Sequence, residues 1–61
     1  MRYRLVDDEY AVLGVFDTFG DVFAAAYASM GSVTVEIEYM MGTRKVWMGI
    51  AWFHDGREVE L

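Results

Sequence analysis

Four carboxylates in this chain fall at two-residue spacing: Glu36 and Glu38 in VTVEIEY (residues 33–39), and Glu58 and Glu60 in REVEL (residues 57–61). Side chains two apart on a strand share one face. They lie about 7 Å apart, from a rise of about 3.4 Å per residue, similar to successive phosphates of one nucleic-acid strand. Fixed negative charges at that spacing can be recognised by a basic surface. A cluster of three more acids, Asp7, Asp8 and Glu9, would extend the same negative field. Carboxylate pairs can also perform general acid–base work. That use needs a cleft to shift their pKa values, which a single small sheet does not offer, so no enzymatic activity and no catalytic residue is expected.

Other candidate chemistry is thinner. His54 is the one histidine and there is no cysteine, so a zinc-type ligand set cannot assemble. Asp7, Asp8 and Glu9 lack the spacing and the glycine of a calcium loop. FDTFGD (residues 16–21) has neither the lysine nor the glycine-rich cradle of a phosphate-binding motif, and reads as a helix cap. The expectation is no metal and no cofactor. The bases are scattered as Arg2/Arg4, Arg44/Lys45 and Arg57, without the continuous stripe that direct nucleic-acid binding requires.

Ten acids against five bases give a net charge of −5. Such a protein is repelled by free nucleic acid and anionic membranes and attracted to basic partners. No apolar run reaches the ~20 residues of a membrane span. The start, MRYRLVDDEY, places acids where a signal peptide needs its apolar stretch. These features lead to the expectation of one soluble cytoplasmic domain over residues 1–61. A domain of this size buries a modest core and is marginally stable alone. With 56% hydrophobic residues and no disulfide available, apolar packing must hold it, and self-association would help.

The elements that must position the acids follow from periodicity. Tyr3 and Leu5 alternate with Arg2 and Arg4, predicting a first strand, and Asp7–Glu9 form a turn. YAVLGVF (residues 10–16) reads as a second strand. Asp17 is placed as a helix N-cap, with Asp21 adding charge near the helix start. Phe19, Val22, Phe23, Ala26, Tyr27 and Met30 make the apolar stripe of a helix over residues 18–30, and Gly31 is the expected left-handed C′ residue. The opposite helix face, with Gly20, Asp21, Ala24, Ala25 and Ala28, is unusually bland for a solvated surface. Strands are predicted over 32–39, 44–53 and 57–61, joined by turns at Met41-Gly42 and Asp55-Gly56. The expected fold class is α+β: ββαβββ, a single antiparallel sheet with one helix packed on one face.

Hairpin registers test this arrangement. Turning at Asp55-Gly56 sets His54 opposite Arg57, Phe53 opposite Glu58, Trp52 opposite Val59, Ala51 opposite Glu60 and Ile50 opposite Leu61. Turning at Met41-Gly42 sets Tyr39 opposite Arg44, Glu38 opposite Lys45, Ile37 opposite Val46 and Val35 opposite Met48. Both send Val46, Met48, Ile50 and Trp52 toward the helix, and Glu36, Glu38, Glu58 and Glu60 away from it. A one-residue slip would bury the carboxylates. The outer face would then show the four glutamates around Trp47, Gly49, Ala51 and Phe53. Alternating glutamate is also the ordinary way to solvate a strand face and to deter edge pairing. Exposed Trp47 and Phe53 favour an interface there. Arg2 and Arg4 would partly neutralise whichever acidic strand, third or fifth, lies beside the first.

In its 61-residue length, its single helix and its acids in DDE (7–9), VEIE (35–38) and EVE (58–60), the chain resembles the small acidic inhibitors made by phages and mobile elements, the anti-CRISPR proteins. That family shares no fold or signature, so it transfers no residue roles. The resemblance implies a protein that covers the basic nucleic-acid-binding surface of a CRISPR effector complex, near the site that reads the protospacer-adjacent motif, and excludes DNA as a mimic. Glu36, Glu38, Glu58 and Glu60 would stand in for phosphates, Asp7, Asp8 and Glu9 would extend the field, and Trp47 would anchor. The protein would act as a monomer or weak homodimer. The competing expectation is a structural module that self-assembles through the alanine face of the helix or through Trp47 and Phe53.

Overall fold

A computed structural model describes residues 1–60. Strands β1 (Tyr3–Asp7) and β2 (Val12–Phe16) precede helix α1 (Phe19–Tyr27), and β3 (Ser32–Met41), β4 (Arg44–His54) and β5 (Arg57–Val59) follow. The strands form one antiparallel sheet in the order β2-β1-β3-β4-β5. The connection from β2 through α1 to β3 passes over β1, which lies between the two strands it joins. The helix packs on one face of the sheet, and the opposite face has no covering layer among the described residues. The expected α+β architecture and element order are present. The first strand neighbours the third, which answers the question of strand order.

The core lies under the helix. Leu5, Val22, Ala26, Val33, Val35, Ala51 and Phe53 form one buried cluster, with Tyr3, Phe16, Phe23, Ile50 and Ala25, the last expected on the opposite helix face, packed around it. Aromatic rings run along the helix: Phe19 stacks on Phe23, and Phe53 takes edge contacts from Phe23 and Tyr27 at 5.7 and 5.0 Å between centroids.

Several boundaries differ from the periodicity reading. The N-cap is Thr18, not Asp17: Thr18 Oγ1 accepts from the Asp21 N–H at 3.1 Å, and Asp21 supplies the first-turn acid. The helix stops at Tyr27, and Ala28, not Gly31, is the C-cap. Met30 leaves the stripe and is exposed. Gly31 does take a left-handed φ of 74°, for a different reason. Its N–H donates to Asp55 Oδ1 at 2.7 Å and its carbonyl accepts from the Asp55 N–H at 3.0 Å, tying the helix exit to the β4–β5 turn. Tyr10 belongs to the first turn with φ 64°, so β2 begins at Val12.

The largest departure is in β4. The β3–β4 turn is Gly42-Thr43, with glycine at the first central position and φ 65°, the φ pattern of a type II′ turn. Pairing is therefore Met41 with Arg44, Met40 with Lys45, Glu38 with Trp47 and Ile37 with Met48, two residues from the expected register. A bulge then intervenes: Glu36 pairs with Gly49 but Val35 pairs with Ala51, so Ile50 is the extra residue. A two-residue displacement keeps every side chain on its expected face, and one more residue reverses the remainder of the strand. Val46, Met48, Ala51 and Phe53 thus belong to the helix side, and Trp47 and Trp52 to the bare side. Phe53, expected outside, is 1% exposed, while Trp52, expected inside, is 40% exposed.

Asp55-Gly56 turns as read, both residues having positive φ, the type I′ pattern. The pairs Trp52–Val59, Phe53–Glu58 and His54–Arg57 all form. Because Phe53 now faces the helix side, Glu58 does too. Strand β5 ends at Val59, so Ala51 and Glu60 do not pair; the expected Ile50–Leu61 pair lies outside the described residues.

Candidate interaction surface

The bare face is organised in rows across the strands. One row runs Val12, Val6, Thr34, Trp52, Val59 from β2 to β5. Val6 is buried within it, whereas Val12, Trp52 and Val59 are exposed. Gly49 makes room for the Trp52 ring: a Cβ there would meet the indole at 3.1 Å and the Thr34 methyl at 3.3 Å. The next row runs Val15, Arg4, Glu36, Gly49, and beyond it Glu38 lies opposite Trp47.

Arg4 is the hub of this second row. Its Nε donates to Glu36 Oε1 at 2.6 Å, and its guanidinium lies 4.4 Å from the Trp47 ring centroid. The ion pair is partly shielded, so it is worth more than a fully solvated one. The cation–π contact orients the Trp47 ring. The expected neutralisation of an acidic strand by Arg4 is realised at Glu36. Lys45, expected beside Glu38, lies opposite Met40 instead.

The proposed acids are therefore divided. Glu36 and Glu38 stand on the bare face, but Glu36 is committed to Arg4. Glu58 stands on the other side of the sheet, and Glu60 follows the end of β5. The surface of four coplanar glutamates does not form, and the Ile50 bulge is the reason. Asp7 is committed to its turn: its Oδ1 accepts from the Glu9 and Ala11 N–H groups, both at 2.9 Å. Asp8 and Glu9 are exposed at that same turn. His54 is exposed, with Nδ1 3.1 Å from Ser32 Oγ and Nε2 3.4 Å from Asp55 Oδ2.

Two shallow grooves mark the surface. One of about 360 Å³ is lined by Met1, Glu38, Tyr39, Met40 and Lys45, at the end of the β3–β4 hairpin that projects past β1. Another of about 320 Å³ is lined by Ile50, Ala51, Trp52, Glu58, Val59 and Glu60, where β5 stops. Among the described residues no group of three or more histidines or acids could hold a metal ion. No described helix is long and apolar enough to cross a membrane.

Sequence reasoning missed Trp52, Val12 and Val59 as surface residues. The signal available was Gly49, whose missing side chain marks a place where a strand bulges or another group approaches closely. No protein-family model, curated protein or solved structure matches the chain.

Proposed function

We propose that this protein is a non-enzymatic interaction module that uses the bare sheet face to cover a basic, nucleic-acid-binding surface of another protein. The observation that carries the reading is an uncovered sheet face bearing two tryptophans in a chain of net charge −5. Trp47, held by Arg4, and Trp52, lying over Gly49, supply anchors of the kind that dominate binding energy. Glu38 lies opposite Trp47 and lines the neighbouring groove. Asp8 and Glu9 add exposed negative charge at the far end of β1. Charge of this sign steers the protein to a cationic groove and speeds encounter.

The resemblance in size and acidity to anti-CRISPR proteins makes a DNA-recognising CRISPR effector in a bacterial cytoplasm the most concrete partner. Occupation of its groove would exclude DNA. The mimicry is electrostatic and not a register of phosphate-like glutamates, since Glu36 is neutralised and Glu58 points elsewhere. Binding to purified DNA-targeting effector complexes, with and without target DNA, tests the proposal. Binding is expected only to the DNA-free complex. It should weaken roughly tenfold or more in the Trp52→Ala, Glu38→Gln variant, and its association rate should fall with salt. Equal binding to the DNA-loaded complex, or an unaffected variant, would overturn it.

A further inference from the structure

We infer that a second copy of this chain pairs with the open edge of β4, joining two sheets antiparallel into one. Strand β4 has eleven residues, but β5 pairs only with Trp52, Phe53 and His54. Among the described residues nothing pairs with the outer edge of residues 44–51. Alternate residues of a strand turn their N–H and C=O groups to each side. This stretch therefore presents an unfilled ladder of donors and acceptors, a template for an added strand.

The edge has the shape of a slot. It is bounded at one end by the Gly42-Thr43 turn and at the other by the step where β5 stops. Its charges are complementary end to end. Arg44 and Lys45 stand at the open end, exposed and without a carboxylate in ion-pair range among the described residues. Glu58 and Glu60 line the groove at the step together with Ile50 and Ala51. Antiparallel pairing about a two-fold axis at Trp47 sets Arg44 opposite Ile50 of the second copy and Lys45 opposite Gly49. Arg44, on the helix side of the joined sheet like Glu58, then comes within side-chain reach of the second copy's Glu58 and lies beside its Glu60. Lys45 adds positive charge from the bare side, and the same contact repeats across the axis. The other sheet edge offers no such match: β2 is short and Leu13 bulges out of its pairing with β1. The pairing would leave both bare faces open and does not depend on their having a basic partner.

Sedimentation in the micromolar range tests the inference, with amide hydrogen exchange on the same samples. A dimer is expected, with slowed exchange in residues 44–50. The R44E/K45E and E58K/E60K variants, all at exposed positions, should each weaken self-association by roughly tenfold or more. An equimolar mixture of the two should recover a heterodimer. A monomeric native chain, unprotected 44–50 amides, charge variants that dimerise like the native chain, or a mixture that recovers nothing would each overturn the pairing.

Discussion

The two faces of the sheet are built from adjacent residues of the same strand and obey different rules. Phe53 is enclosed by Phe23 and Tyr27 of the helix. Trp52, its neighbour, packs its indole against Gly49 with two-fifths of its surface in water. The covered face is fixed by packing, where every methylene counts. Among the described residues the bare face has no second layer to pack against, and the Arg4–Glu36 ion pair with the Trp47 ring on its guanidinium ties β1, β3 and β4 together there. Stability should therefore reside in the first face and be largely separable from whatever the second face does.

Substitution sharpens that contrast. Phe53→Ala should cost about 3–5 kcal/mol, as expected for a fully buried aromatic, and in a domain this small that would unfold most molecules at room temperature. Trp52→Ala should cost about 1–2 kcal/mol by the apolar area it still covers and leave the fold intact; urea denaturation compares the two. A similar loss from both would break the distinction.

Two glycines separate backbone strain from packing. Gly56 and Gly42 both have positive φ, but a Cβ on Gly56 would lie 2.5 Å from the Tyr27 carbonyl oxygen, whereas one on Gly42 meets nothing. Gly42→Ala should cost only the left-handed backbone term of about 1–2 kcal/mol. Gly56→Ala should cost clearly more, because the helix exit must also move. At the helix entrance, Thr18→Ala should cost about 1 kcal/mol and Asp17→Ala close to nothing, reversing the ranking that the sequence invites. A double-mutant cycle over Arg4→Ala and Glu36→Ala should give a coupling of about 1 kcal/mol. Any smaller value would remove the cluster as a determinant of the bare face.

The strand order of the N-terminal hairpin could not be read, yet most elements could. Alternation revealed the strands, and Asp55-Gly56 specified the three pairs nearest its turn, His54–Arg57, Phe53–Glu58 and Trp52–Val59. Of the stripe Phe19, Val22, Phe23, Ala26, Tyr27 and Met30, Val22 and Ala26 are the buried positions, Phe23 is half-buried, and Phe19, Tyr27 and Met30 are exposed. The failures in β4 have two origins. A turn at Met41-Gly42 and one at Gly42-Thr43 are almost equivalent in local propensity, and a bulge leaves no periodic trace beyond a glycine. The uniformly apolar run WMGIAWF has no alternation to show that the strand changes its phase at Ile50. What decides it is tertiary: the space under Phe23 and Tyr27 takes Phe53. The acids followed passively, and Glu58 moved to the helix side because Phe53 did.

The Ile50 bulge is the feature on which both faces depend, and proton NMR reads it directly. Nuclear Overhauser contacts are expected from the Phe53 ring to Phe23 and Tyr27, and from the Trp52 indole to the Thr34 methyl and the Gly49 α-protons. Contacts from the Trp52 indole to Val22 or Ala26, with Phe53 free of the helix, would contradict the structure of β4 and the surface built on it.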